Sequence, residues 1–259
     1  ALRSFIFWSL ETRVVGFKYS KRLLNLFAQK KALRFIEEQI ADPALRAKLT
    51  PDYTIGCKRI ILSNLLYPAL ARSNVSVHSR EQGIREITET GIITQDGQQL
   101  DLDLIVYSTG YDATDGVITY PVIGREGRKL SDFWSEFPRA YLGTSMPGFP
   151  NFFIVTGPNT GIGHTSAIFI IEAQMNYIMK NITMMKKREF RSVEVTEQAE
   201  ADYTRMVHSE MEKTVWKTGG CNSWYQSKSG HVVAMFPGFS FTYERMTKAF
   251  KPKHHTYSW

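Results

Sequence analysis

Apolar positions recur at helical spacing over residues 2–41, with Leu23, Leu26 and Phe27 followed by Leu33, Ile36 and Ile40. That is one face of a 3.6-residue period. Gly16 interrupts the pattern and predicts two helices rather than one. Asp42-Pro43 predicts a short helix through "ALRAKL", with proline at the first helical position, and Thr50-Pro51 ends it. "GCKRIIL" reads as a turn into an apolar run. From Val75 to Tyr107 the period shortens. "VSVHS", "IREITE", "GIITQDG" and "LDLIVYS" are alternating or apolar runs punctuated by glycine, which predicts strands and hairpins. Asp96-Gly97 is a tight-turn pair between two of them. The run "DLDLIVYSTGYDA", residues 101–113, predicts a buried strand ending in Thr109-Gly110-Tyr111.

Residues 114–150 form a loop-rich stretch with many glycines, prolines and aromatics. "NFFIVTG" (151–157) then predicts a buried strand and "SAIFIIEAQMNYIMKNITMMKK" (166–187) a long helix. "SVEVT" predicts a strand, residues 197–215 a helix, and "CNSWYQSKSG" opens an aromatic tail. No internal repeat and no low-complexity linker breaks the chain.

The 259 residues suffice for one large or two small domains, with hydrophobic and charged contents of 43% and 22% that suit a globular protein. No run of 18 apolar residues and no signal-peptide pattern occurs. Cys57 and Cys221 stand far apart and outside any C-x-x-C. A single disulfide is open to them, but a reduced, cytoplasmic setting is the expectation. The net charge is +7, and residues 1–60 hold 12 Lys or Arg against 5 acids, which accounts for all of it. Such a region suits an anionic partner or, for most of its residues, a solvated helix face.

Chemistry concentrates in few places. The strand–"GPNTGIGHTS"–helix arrangement exposes backbone N–H groups at the positive end of a helix dipole, as a phosphate or an electron-rich flavin edge requires. From Gly161 the spacing is G-x-G-x-x-S, one glycine short of the dinucleotide fingerprint. Two glycines in such a turn are common, so the loop alone does not discriminate. Lys58-Arg59 follows Gly56-Cys57 and offers a mobile point charge and a fork of donors, although a cationic dipeptide is equally an ordinary surface feature. No metal-ligand spacing links the six histidines to cysteines or carboxylates, and no G-x-S-x-G occurs. His164 is the one histidine in a loop of interest, and taken alone it fits packing or capping.

Several segments together resemble a known family. "DLDLIVYSTGYDA" resembles the "D-x-[IV]-V-x-[AS]-T-G-[YF]" strand of flavin-dependent monooxygenases. "YLGTSMPGFPNFFIVTGPNTGIGHTSAIFIIEAQMNYI", "LTPDYTIGCKRIILSNLLYPAL" and "CNSWYQSKSG" resemble segments of the Baeyer–Villiger monooxygenases, in family order from about residue 40 to about residue 245. The resemblance implies an α/β fold, the C-terminal part of a flavoprotein with Rossmann-like FAD and NADPH domains and a helical insertion. Residues 1–107 would be the C-terminal part of the NADPH domain with the helical subdomain, and 108–259 that of the FAD domain. It implies FAD and NADPH as cofactors, with a ketone and O₂ as small-molecule substrates giving an ester or lactone. No nucleic acid and no membrane would be involved.

Residue by residue, Arg59 matches the arginine that in the family stabilises the anionic oxygenating flavin and the tetrahedral adduct, as a buried cation aimed at a developing oxyanion would. Lys58 matches a lysine associated with NADPH and its 2′-phosphate. Gly157, Pro158, Asn159, Thr160, Gly161, Ile162, Gly163 and His164 match the segment that lies against the flavin and lines the substrate pocket. Trp224 matches a tryptophan reaching toward the nicotinamide. Thr109 and Gly110 match the crossing between the two nucleotide domains. Neither G-x-G-x-x-G of that family, nor its "F-x-G-x-x-x-H" fingerprint, occurs in these residues. Position 1 is Ala and the first Met is Met146. The expectation is therefore a C-terminal half, inactive alone or dependent on a partner chain that carries the phosphate loops. The alternatives are a heteroatom-oxygenating flavin monooxygenase and a non-catalytic subunit that kept the fold.

Overall fold

A computed structural model describes residues 2–114 and 118–259. Residues 115–117, within the loop-rich stretch expected at 114–150, lie outside it. In chain order the elements are α1 (Leu2–Glu11), α2 (Lys21–Leu24), α3 (Lys30–Gln39), α4 (Pro43–Leu49), α5 (Leu66–Leu70), β1 (Ile84–Ile87), β2 (Gly91–Thr94), β3 (Gln99–Asp101), α6 (Leu130–Phe133), α7 (Ala167–Arg188), β4 (Ser192–Val195), α8 (Glu197–Met211), α9 (Val215–Thr218), α10 (Ser240–Lys248) and β5 (His255–Ser258). No helix among the described residues is long and apolar enough to cross a membrane.

The chain divides into two compact units, one of residues 1–25, 53–59 and 112–259, the other of residues 26–52 and 60–111. The polypeptide passes between the units four times, at 25/26, 52/53, 59/60 and 111/112.

In the smaller unit, Asp42 caps α4 by accepting from the Ala44 N–H (2.9 Å), with Pro43 in the first turn, as the sequence predicts. Phe35 of α3 meets Tyr67 of α5 with ring centroids 5.8 Å apart. β1, β2 and β3 form an antiparallel sheet in that order, closed by a turn in which Gly97 N–H donates to Thr94 C=O (3.0 Å).

The larger unit is built on α7, packed along α10. Ser166 caps α7 by accepting from Ile168 N–H. Gln174, buried in its middle, donates to Gly143 C=O (3.0 Å) and Thr144 Oγ1 (2.8 Å) and accepts from Thr156 N–H (2.9 Å). One side chain therefore satisfies backbone groups of two loops that have no ladder of their own, as burial demands. Tyr141, Leu142, Tyr177, Ile178, Val195, Ala199, Tyr203 and Val207 form one core cluster, and Ile170, Ala173, Phe236 and Tyr243 another. Thr196 caps α8, whose first turn carries Glu197 and Glu200, complementary to the helix dipole. β4 and β5 pair antiparallel.

Some expectations need correction. The helix break predicted at Gly16 falls at Ser20: a π-helical turn over Val15–Tyr19 absorbs the glycine, and the extended Ser20 starts α2 by accepting from Leu23 N–H. Residues 75–79, 102–113 and 151–157 form no strand. Positive φ at Asn151 and Thr156 breaks the last of these, which keeps one bridge, Ser145 to Phe153. Residues 102–113 are largely exposed, Leu104 at 76% and Val106 at 74%. An apolar run marks a strand covered on both faces, and among the described residues no neighbouring strand pairs with it. The only parallel pairing among them is the Gly161–Met235 bridge.

Candidate active site

Three segments of the larger unit converge. The first is the turn at 54–59. Cys57 N–H donates to Thr54 C=O (3.1 Å), and Thr54 N–H to Gly219 C=O (2.9 Å). Gly56, at φ +87°, lies so close to Phe17 that a Cβ would stand 2.5 Å from its Cε1. Phe17 in turn stacks on the buried Trp216, with ring centroids 5.9 Å apart and planes at 23°. The turn delivers Lys58 and Arg59 to the surface. Lys58 Nζ lies 5.1 Å from the centre of the Tyr53 ring. Arg59 is exposed rather than the buried cation expected, and no carboxylate among the described residues forms an ion pair with it.

Residues 216–225 form the second segment. Cys221 is disulfide-bonded to Cys57, with Cα atoms 6.1 Å apart across 164 residues of sequence, so the expectation of two reduced cysteines is not met. Trp224 is half-exposed and its ring lies 4.6 Å from that of the buried Tyr225. Burial pushes the Tyr225 hydroxyl above its ordinary range, and the Arg59 charge acts against that rise.

The third is the loop through 157–164. Asn159 is buried and donates through Nδ2 to Val232 C=O (2.8 Å) and Met235 C=O (3.0 Å). Its N–H donates to Val233 C=O, Gly161 N–H donates to Ala234 C=O, and Val233 N–H donates to Tyr225 C=O. Pro158 and Thr160 are buried with Asn159, and Thr160 Oγ1 donates to Gly157 C=O (2.6 Å). Two of the N–H groups that a phosphate cradle would need are thus already engaged. Gly161 and Ile162 are partly exposed and Gly163 is open to solvent. A Cβ on Gly163 would come within 3.0 Å of Trp216 Cζ2. Trp216 consequently separates the glycine loop on one side from Phe17 and the Gly56 turn on the other.

His164 ends this loop, buried, with neither ring nitrogen hydrogen-bonded among the described residues. Burial, helped by the Arg13 charge, lowers its pKa to about 4, so it is neutral near pH 7. Its Nε2 lies 3.5 Å from Oε1 of Glu11, a buried carboxylate whose own pKa burial raises. Glu11 accepts from the Ser240 hydroxyl and from Ser240 N–H (3.2 Å). The pair is thus held without a pair of opposite charges.

The other expected residues are placed elsewhere. Thr109 and Gly110 belong to the smaller unit and are exposed. Of the basic N-terminal side chains, Lys18 pairs with Glu210 (2.6 Å) and Lys21 donates to Thr218 C=O (2.8 Å). Among the described residues no group of three His, Cys, Asp or Glu is placed to hold a metal ion. Phe17, Trp216 and Glu11 were not singled out by the sequence, because they sit in helical or turn segments whose pattern reads as packing. The cysteines carried a usable signal, each being adjacent to a segment already of interest.

No family model matches the chain. It is 43% identical over 242 residues to a Baeyer–Villiger monooxygenase of Pseudomonas aeruginosa, covering 93% of this chain and 45% of that protein. It is 39% identical over 249 residues to a Baeyer–Villiger monooxygenase of Streptomyces coelicolor, covering 95% and 47%. Among solved structures, an oxidized steroid monooxygenase bound to NADP superposes with a TM-score of 0.82 at 30% identity, over 94% of this chain and 47% of that one. The chain spans about half the length of the curated relatives it matches.

Proposed function

We propose that this chain, related to the Baeyer–Villiger monooxygenases along 93% of its length, forms the part of such an enzyme that carries the oxygenation-site cation and one wall of the flavin pocket. The whole enzyme would use FAD, NADPH and O₂ to insert one oxygen atom beside a ketone carbonyl. The G-x-G-x-x-G loops that would hold both pyrophosphates are not among these 259 residues.

The observation that carries the reading is the convergence on Trp216 of the Lys58-Arg59 turn, the 157–164 loop and the segment bearing Trp224. The residues present fit a flavin ring better than its phosphates. The N–H groups of Asn159 and Gly161 are engaged within the protein, while Gly163 leaves open backbone ahead of the 22-residue helix α7. A buried neutral His164, its ring nitrogens without a hydrogen bond among the described residues and its Nε2 3.5 Å from Glu11, ends that loop. FAD, reduced by NADPH, would supply the activated oxygen.

The chain's own contributions are those that the resemblance and the chemistry of its side chains suggest. Arg59 offers a fork of donors to the oxyanion that develops on the former carbonyl oxygen, a device worth about 10²–10³ in rate. Lys58 offers a point charge to a phosphate, and Trp224 an aromatic face to the nicotinamide. Gly157, Pro158, Asn159 and Thr160 hold the loop's shape from within.

Arg59→Ala, in enzyme supplied with FAD and NADPH, is expected to abolish ester formation while NADPH oxidation stays measurable. Ketone turnover and NADPH consumption read the two separately. Ester formation at the unsubstituted rate would overturn the assignment.

A further inference from the structure

We propose that the Cys57–Cys221 disulfide is a positioning device that fixes the turn bearing Arg59 to the segment bearing Trp224, so that the cation and the indole keep one register only in the oxidised protein. The roles given to Arg59 and Trp224 rest on the function proposed above; the tie itself rests on geometry alone.

Cys57 is fully buried, and its bridge reaches 164 residues along the chain. Arg59 follows Cys57 by two residues, and two residues reach about 7 Å at most. Beyond Arg59, residues 60–65 are exposed and in no helix or strand. The bridge is thus the last fixed point before the cation. On the other side, Trp224 follows Cys221 by three residues, and Tyr225 is bonded through Val233 to the 157–164 loop. Apart from the bridge, one backbone hydrogen bond among the described residues links the two segments, Thr54 N–H to Gly219 C=O (2.9 Å), with Gly219 packed on Cys57 and Phe17 packed on both Gly56 and Trp216. Tyr225 follows Trp224 and packs its ring against it, with centroids 4.6 Å apart. The bridge is therefore the covalent tie between the turn that carries the candidate catalytic cation and the segment that carries Trp224.

Reduction breaks the sulfur–sulfur bond and forms two thiols. Two electrons and two protons come from an added dithiol such as dithiothreitol, which leaves as its cyclic disulfide. Cys221 is partly exposed, so the reagent has an approach.

The test uses the 259-residue chain without cofactor. Alkylation of the denatured, unreduced chain followed by mass measurement is expected to find no free thiol, and two free thiols would overturn the proposal. Hydrogen–deuterium exchange with and without dithiothreitol is expected to accelerate at least tenfold at residues 54–59 and 219–225, and less than threefold in α7. Unchanged exchange in the two segments would overturn it, as would equal acceleration throughout, which marks a tie that serves overall stability only. A Cys57→Ala/Cys221→Ala chain should reproduce the local acceleration and respond no further to dithiothreitol. In enzyme supplied with FAD and NADPH, the same double substitution should lower the ester formed per NADPH oxidised at least fivefold. An unchanged ratio beside released exchange would remove the positioning role. Unimpaired ester formation by Arg59→Ala would instead overturn the functional reading, so the two failures are distinguishable.

Discussion

The turn at 54–59 and the segment at 102–111 look alike along the sequence. Each sets apolar residues beside a glycine, Gly56 at φ +87° and Gly110 at φ +80°. Their surroundings are opposite. Gly56 is pressed against Phe17, and its neighbour Cys57 is fully buried and bridged. Gly110 would present a Cβ to open space, and the apolar side chains before it face solvent. Backbone conformation is thus set locally by residue type in both places. Burial is set by which other parts of the chain arrive, and that information is not local.

The sharpest way to break the contrast is to remove the bridge. In the chain-entropy account, a disulfide closing a loop of this length contributes about 5 kcal/mol through the unfolded state. Denaturation of the reduced 259-residue chain is expected to show a loss of that order. A loss below about 1 kcal/mol would mean that the turn is held by its hydrogen bond and packing alone.

The same contrast bounds what the sequence could say. Elements whose signals are internal to them were legible: the Asp42 cap of α4, the hairpin at Asp96-Gly97 and the long helix α7. Strands that need partners were not. "NFFIVTG" and "DLDLIVYSTGYDA" have the composition of buried strands, but a strand exists only through its ladder. In the site, the local clusters at 58–59 and 157–164 were visible as residue types in suggestive spacing. Their convergence was not visible, because it runs through Phe17, Trp216 and Cys221, which lie 41, 158 and 163 residues from Lys58 along the chain and are joined to the turn only by packing and the bridge.

Two alanine substitutions sharpen the contrast next. Gly56→Ala adds a left-handed backbone penalty to a contact that Phe17 must yield, together about 3 kcal/mol. Gly110→Ala carries the backbone penalty alone, about 1 kcal/mol. Chemical denaturation of the two chains should therefore separate them by about 2 kcal/mol. Equal losses would mean that residue 110 is as tightly enclosed as residue 56.

His164 offers a test of comparable size that leaves the backbone untouched. Its folded pKa of about 4 lies below the ordinary 6.5, so between those values the unfolded chain binds the additional proton. The stability it contributes is present above pH 6.5 and lost as pH falls toward 4, a difference of about 3 kcal/mol. Glu11, whose pKa is raised by burial, works in the opposite sense, because its protonation favours the folded chain. The check is a comparison of stability at pH 7 and pH 4.5 for the unsubstituted chain and for His164→Gln. The substituted chain should lose about 2 kcal/mol less over that interval, and parallel losses would mean that His164 is not the titrating group.

The smallest effect belongs to the exposed segment. Val106 stands in the middle of an apolar run, and by composition alone Val106→Thr would be a core substitution, a change of methyl to hydroxyl that is not tolerated as a neutral swap in a packed interior. In this structure the side chain is 74% exposed and lies in no strand. The added hydroxyl keeps its water, and the expected change is within about 0.5 kcal/mol. Denaturation of the 259-residue chain decides between the two. A loss above about 1 kcal/mol would show Val106 enclosed in solution, and residues 102–111 would then belong with the packed turn rather than opposite to it.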